Sequence, residues 1–293
     1  MTSDFGHSFL FAFSLDSLKN RSSEIIALSK RNSPMRISFI GSGRVATHLA
    51  QAFAQQHDIV QIMSPNFANA QKLANLVAAQ AINHVEQLNY EIDLCVIAVS
   101  DQAISTCMQQ LSLYLKNTLV VHTSGSTHLH VLAKYYENVG VFYPLQTFSF
   151  ERQIDWDNTP LFIEAAQSEQ SEVLRELANS LSNSVYQYSS EQRLSLHLAA
   201  VFACNFSNYC YDMAKQIVDA QQVDFNLLFP LMLETAHKAT QYDPQMVQTG
   251  PAMRGDQNIL NMHQGLLADT KRDDLVQVYR LLSEQIMQRQ VKS

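Results

Sequence analysis

The sequence has little of what marks several specialised classes of protein. Basic residues are scarce, with 20 Lys and Arg against 27 Asp and Glu and a formal net charge of -7. No basic run exceeds a pair of residues and none interleaves with aromatics, which argues against a nucleic-acid surface and leaves room only for a local basic pocket. Long apolar runs are also missing, so nothing in the chain reads as a bilayer-spanning segment. Cysteine is sparse. Cys95, Cys107, Cys204 and Cys210 show no metal-ligand spacing, and no metal is expected. Their neighbours predict buried positions in strands and helices, and hence a reducing, cytoplasmic compartment.

Against these absences stand 293 residues with 46% hydrophobic content, enough for one large core or two modest ones. Residues 1–34 sit apart. Phe9 to Phe13 form an apolar island with no basic residues before it, which does not suit a secretory signal, and a polar stretch follows to Pro34. The stretch reads as an N-terminal extension, either a poorly ordered arm or a leader ahead of a native start at Met35.

The richest signal follows at once. Arg36 to Ile40 reads as a short buried strand, Gly41-Ser42-Gly43-Arg44-Val45-Ala46 as a glycine turn, and Thr47 to Gln55 as a helix with Val45, Leu49, Ala52 and Phe53 on one face. Strand, Gly-x-Gly-x-x-Ala and helix in that order is the context of a dinucleotide-binding turn. The first glycine permits the tight turn, the second lets backbone approach a pyrophosphate, and Ala46 allows close helix packing. A helix amino terminus then offers N–H groups to the phosphates. Gly41, Ser42, Gly43, Arg44 and Val45 are therefore candidate cofactor contacts.

Further strands are expected at Asp58 to Ser64, Ile92 to Val99, Thr118 to His122, Gly140 to Tyr143, Leu161 to Ile163 and Val185 to Tyr188, with helices between them. The fold class is α/β, a doubly wound, mostly parallel sheet of Rossmann type over 35–190. From 191 to 293 helical periodicity takes over, punctuated by Pro230, Pro244 and Gly250-Pro251, so an all-helical domain is expected there.

In doubly wound sheets ligands lie beyond the carboxyl ends of strands. Those ends offer Ser64 and Asn66, Val99 and Ser100, and Ser124 as cofactor contacts, with Asp101 expected to cap the helix after it. The second strand ends in Ser64-Pro65-Asn66, with neither the acid that would hold the ribose of NAD nor an arginine. NADP(H) is the expected cofactor and NAD(H) the alternative. Hydride transfer needs a group to protonate or polarise the heteroatom. His122, Tyr143 and Asn205 are the catalytic candidates. His122 is first, as an imidazole titrating near neutrality at a sheet edge. Gln146, Thr249, Arg254 and Asp256 are the substrate-binding candidates, Arg254 as a fork for a carboxylate or phosphate. His197, His237 and His263 share no metal spacing and read as surface or packing residues.

Together the glycine loop, Val96 to Asp101, His122 to Ser126, Tyr143-Pro144-Leu145-Gln146-Thr147-Phe148, Ala203 to Phe206 and Gln248 to Asp256 resemble one family. It comprises bacterial Rossmann-like candidate NADP-dependent oxidoreductases with a C-terminal helical domain of unknown function, similar in layout to pyrroline-5-carboxylate reductase. The resemblance implies a homodimer paired through the helical domain. It also implies that Tyr143 to Gln146 lies beside the nicotinamide, with Gln146 where that reductase has an asparagine, and that Gln248 to Asp256 occupies the place of its substrate loop. Two features depart from the pattern. The interdomain-helix lysine of related hydroxyacid dehydrogenases falls at Val201, and the reductase's serine-glycine run is replaced by Cys204, Asn205 and Phe206. The expected activity is hydride transfer between NADP(H) and a small polar imine, aldehyde or keto or hydroxy acid. The competing reading is a catalytically silent dinucleotide sensor or scaffold. No membrane or nucleic-acid partner is expected.

Overall fold

The computed structural model describes residues 33–290. The extension expected over 1–34 thus lies, apart from Ser33 and Pro34, outside the described residues. The chain forms two compact units, the first running to Ala200 and the second beginning at Val201.

The first unit is built on one sheet of β1 (Arg36–Ile40), β2 (Asp58–Met63), β3 (Gln80–Ile82), β4 (Leu94–Ile97), β5 (Leu119–His122), β6 (Val139–Pro144), β7 (Leu161–Ala165) and β8 (Val185–Gln187). Its spatial order is β3-β2-β1-β4-β5-β6-β7-β8. Every neighbouring pair is parallel except β6 and β7. Its connections carry α1 (Arg44–Phe53), α2 (Phe67–Leu76), α3 (Asp101–Leu111), α4 (His130–Ala133) and α5 (Ser168–Asn179), and α6 (Ser190–Ala200) closes the unit.

Alternation along the strands explains why helices cover both faces. Leu94, Val96, Leu119 and Val121 point into one core with α1, α2 and α5, while Cys95, Ile97 and Val120 point into the other with Ile104 and Met108 of α3 and Leu132 of α4. Near-continuous apolar strands are what burial on two faces requires. On the first face Ala46, Leu49, Ala50 and Phe53 recur at helical spacing and are buried, and Phe53 meets Phe142 edge-on at 5.6 Å between centroids. Full burial of each such large side chain contributes about 1.5–3 kcal/mol, which fixes α1, and with it the glycine turn, against the sheet.

Three elements of this unit were not expected, among them a 3₁₀ turn at Val85–Gln87. β3 has only three residues, too few for a pattern to show, and is held by side-chain bonds. Gln61 donates to Gln80 Oε1 at 2.9 Å and to the Gln87 carbonyl at 3.0 Å, while its own oxygen accepts from Asn89 N–H. The single-turn α4 is likewise below the length at which periodicity is legible.

α6 belongs with the sheet because of Arg193, which is 1% exposed. Its guanidinium pairs with Glu164 of β7 and donates to the Thr127 carbonyl. Ser190 Oγ donates to the same carboxylate at 2.8 Å. A charge this enclosed needs such partners.

The second unit contains a π-helical turn (Val201–Phe206), α7 (Ser207–Asp219), a short 3₁₀ turn (Phe225–Leu228), α8 (Phe229–Gln241), α9 (Pro251–Arg254), α10 (Gln257–Asp269) and α11 (Asp273–Gln290). Its buried centre is small. Met213, Leu267 and Leu275 meet there with Val276, Val278 and Tyr279 around them, and Arg272 donates to Gln216 at 2.7 Å. The expectation that all four cysteines are buried fails here. Cys95 is buried and Cys107 partly so, but Cys204 and Cys210 are exposed. Phe202, Phe206 and Tyr209 near them are also exposed, outside this small core.

Candidate functional site

The glycine turn lies where the strand order reverses, between the carboxyl ends of β1 and β4. Gly41 has φ +116°, and a Cβ there would sit 2.2 Å from the Ala98 carbonyl oxygen. Its N–H donates to Met63 O at 2.8 Å, and Ala98 N–H donates to Ile40 O at 2.8 Å. Any side chain at Gly41 would meet strained backbone and a backbone clash together. Gly43 is the opposite case, since a Cβ there would meet nothing within 4 Å. It stands as N-cap of α1 without any side-chain cap, and no acid occupies the first turn. The N–H groups that open α1 are thus left for an outside anion. Open space at Gly43 beside uncapped donors fits a pyrophosphate.

Around this turn the expected cofactor contacts fall at one sheet edge, with different freedom. Ser42 and Val45 are partly buried and Arg44 is exposed. Ser64 is buried at the end of β2, where its N–H donates to Ile82 O. Asn66 caps α2, its side chain accepting from Asn69 N–H. Val99 packs beside Gly41. Ser100, rather than Asp101, holds the N-cap position of α3 and makes no side-chain cap bond. Asp101 is instead the first helical residue, and its carboxylate accepts from Ser126 Oγ. Ser124 Oγ accepts from Ser126 N–H and Thr127 N–H at 3.1 and 2.9 Å, shaping the turn after β5.

The ends of β5 and β6 carry the groups suited to proton transfer. His122 is fully buried, and its Nδ1 accepts from Ser124 N–H at 3.2 Å. Burial, with the Arg193 charge adding to it, pushes its pKa down from 6.5 to about 3. The expectation of an imidazole titrating near neutrality is therefore overturned, because an enclosed ring beside a guanidinium cannot take a second proton cheaply. His122 shapes the turn.

Tyr143 is differently placed. Its hydroxyl lies 3.1 Å from Nδ1 of His197 on α6, and the rings meet edge-on at 6.0 Å. Burial raises the phenol to about 12. Gly125 makes the contact possible, since a Cβ there would lie 2.6 Å from His197 Nδ1 and 2.7 Å from Tyr143 Cζ. His197 was expected to be a surface or packing residue. Nothing local in the sequence pairs it with a tyrosine from another element; the absent side chain at Gly125 was the one available hint. Gln146 is exposed just beyond, its Oε1 accepting from Thr147 N–H at 2.8 Å.

The other candidates belong to the second unit. Asn205 is exposed within the π-helical turn, a backbone form enriched at functional sites. Gly250 at φ +104° and Gly255 at φ +66° bracket α9. Thr249 precedes this bend and is exposed. Asp256 caps α10 by accepting from Ile259 N–H at 3.2 Å. Arg254 is exposed and, among the described residues, has no ion pair, so the mutual Arg254–Asp256 pair that would explain the loop is not formed.

A doubly wound sheet with an open, uncapped glycine turn at its switch point defines a dinucleotide-binding class of fold, and the chain's relatives add the oxidoreductase description. Residues 36–125 match the family described as NADP oxidoreductase, coenzyme F420-dependent, and residues 159–286 match a domain of unknown function, DUF2520. A candidate NADP oxidoreductase from Bacteroides fragilis shares 38% identity over 87% of this chain and 98% of its own, with a TM-score of 0.82. The chain therefore belongs to this family of two-part proteins, an NADP oxidoreductase domain followed by DUF2520. Two more distant structures share the fold. A Thermotoga maritima protein is 21% identical over 85% of this chain and 99% of its own, TM-score 0.66. An imine reductase from Myxococcus stipitatus, in complex with NADP+, is 17% identical over 87% and 99%, TM-score 0.63. No curated protein matches the chain. Among the described residues no helix is long and apolar enough to cross a membrane.

The buried His122 has a pH consequence. Its folded pKa lies below its unfolded one, so the unfolded chain binds the extra proton first. Stability from this group is present above pH 6.5 and is lost as pH falls toward 3. Denaturant midpoints measured across that window should show a slope that His122→Asn reduces by up to about 1.4 kcal/mol per pH unit.

Proposed function

We propose that the protein is an NADP(H)-dependent oxidoreductase acting on the C=N or C=O group of a small polar metabolite. The observation that carries this reading is the open, uncapped amino end of α1 beside Gly41, at the switch point of the sheet. Gly41 to Val45 would hold the pyrophosphate, with Ser64, Asn66, Val99, Ser100 and Ser124 lining the same edge. The bound nicotinamide supplies or accepts the hydride.

Reduction requires that the π-electron pair of the double bond move to the heteroatom as hydride reaches carbon, and that the heteroatom then take a proton. Tyr143 supplies it from its hydroxyl, and His197 returns a proton to the phenolate from solvent. A phenol held to about 12 stays protonated at neutral pH, so it is charged with its proton when the substrate binds. Gln146 orients the polar substrate. Within the second unit, Thr249 and Arg254 share one exposed bend, and the Arg254 guanidinium suits a carboxylate or phosphate. Asp256 shapes that bend by capping α10.

The second unit supports a homodimer. α8 has thirteen residues and buries none of them, while Phe229, Leu231 and Leu233 are 45%, 64% and 71% exposed. A helix of this length is marginal without a packed face, and a second copy supplies one. Sedimentation at micromolar concentration should give a dimer; a monomer there would refute the assembly.

The cofactor assignment is tested by Gly43→Leu, which the open space around Gly43 accommodates in the fold. NADPH binding followed by fluorescence should disappear while the melting temperature stays unchanged, and undiminished affinity would sink the assignment. Catalysis is tested by stopped-flow oxidation of bound NADPH over a panel of imines, aldehydes and keto acids. Tyr143→Phe should slow the reactive case by about 10²–10⁴-fold with NADPH affinity intact. Silence of the wild-type protein across the panel would favour the sensor or scaffold reading.

A further inference from the structure

The segment between β6 and β7 is drawn back across α1. His48 Nε2 donates to the Ser149 carbonyl at 2.7 Å, and its ring packs against Phe148 at 5.6 Å between centroids. Phe148 in turn meets Trp156 at 6.2 Å. These contacts anchor the segment immediately before Phe150 and set that ring near the start of α1, where it is 57% exposed. An exposed phenylalanine fixed in place by its neighbours gains little from burial there.

Two cations converge on it. The Arg44 guanidinium lies 5.8 Å from the Phe150 centroid and the Lys72 ammonium 6.0 Å. Arg44 is the first residue of α1 and Lys72 belongs to α2, so they come from the helices before and after β2. Among the described residues neither has an ion pair. The acids of the nearby segment do not serve them, for Asp155 accepts from Asn158 and Glu151 forms no ion pair with either cation. Two cations at one ring, neither neutralised by an acid, attract an anion to it. The strand between their helices ends in Ser64-Pro65-Asn66, without the acid that an unphosphorylated ribose would engage.

We infer that Arg44, Lys72 and Phe150 form a subsite for the adenosine 2′-phosphate end of NADP(H). The two cations hold the phosphate monoester, and the exposed ring stacks on the adenine. The subsite rests on the dinucleotide reading above and adds to it the discrimination between the two cofactors. The residues that discriminate stand outside the strand end where sequence comparison looks for them, because the segment after β6 supplies the surface on which they converge.

The test is equilibrium binding of NADPH, NADH, adenosine 2′,5′-bisphosphate and inorganic phosphate to the full-length chain and its variants. NADPH should bind about 100-fold more tightly than NADH. Lys72→Ala should weaken NADPH and the bisphosphate about tenfold or more and leave NADH nearly unchanged, as expected for charge-assisted hydrogen bonds, while Arg44→Ala should weaken NADPH more than NADH. Phe150→Ala should weaken both dinucleotides. Equal wild-type affinities for NADPH and NADH would overturn the subsite, as would parallel losses of both in Lys72→Ala. Inorganic phosphate binding as tightly as the bisphosphate would also overturn it, showing an adventitious ion only. All three side chains are exposed, so the variants should melt as the wild type does. If the wild-type chain binds neither dinucleotide, the cofactor reading itself falls, an outcome distinct from loss of the preference alone.

Discussion

The close approach of Gly41 to the Ala98 carbonyl is the constraint on which the first unit turns. Two parallel strands, β1 and β4, end side by side where the chain's connections leave in opposite directions, and the main chain must bend there with almost no clearance. Only a residue without Cβ, free to hold φ +116°, passes that point. The bend launches α1, whose buried Ala46, Leu49, Ala50 and Phe53 lock it onto the sheet. The same bend exposes the uncapped amino end of α1 at the sheet edge. The fold and the open helix end are thus consequences of one packing condition.

Electrostatics acts in opposite senses on two buried groups at that edge. His122 and Tyr143 sit on adjacent strands, and burial acts on both by disfavouring the charged form. For the imidazole this means a ring held neutral and committed to Ser124 N–H; for the phenol it means a proton retained at neutral pH beside a histidine partner. Gly125 governs the second outcome through the space it leaves. Arg193 adds to the lowering at His122 and opposes the rise at Tyr143 while serving a structural end, binding Glu164 and the Thr127 carbonyl so that α6, and hence His197, is fixed against the sheet.

The second unit obeys a different balance. Its helices begin and end where proline, glycine and Asp256 dictate, yet its enclosed core amounts to a few side chains around Met213, Leu267 and Leu275. Much of its apolar surface remains outward, which is why apolar neighbours did not translate into burial of Cys204 and Cys210. Periodicity reports that one face of a helix is apolar; it does not say whether that face meets its own unit or another surface.

Composition, hydrophobic runs and the glycine turn by themselves determined the class of fold, the strand that precedes the turn, the all-helical second unit and the sheet edge on which polar groups gather. These are local properties, set by backbone freedom at glycine and by side-chain alternation, and each shows within a short stretch of chain. Tertiary structure alone decided which polar groups became partners. Tyr143 meets His197, and Arg44 and Lys72 both reach Phe150, only because separate elements are packed against one sheet. It also decided that His122 is sealed off and that Asp101 turns to Ser126 rather than capping its helix. Burial and proximity are sums over the whole packed unit, and no window of sequence contains them.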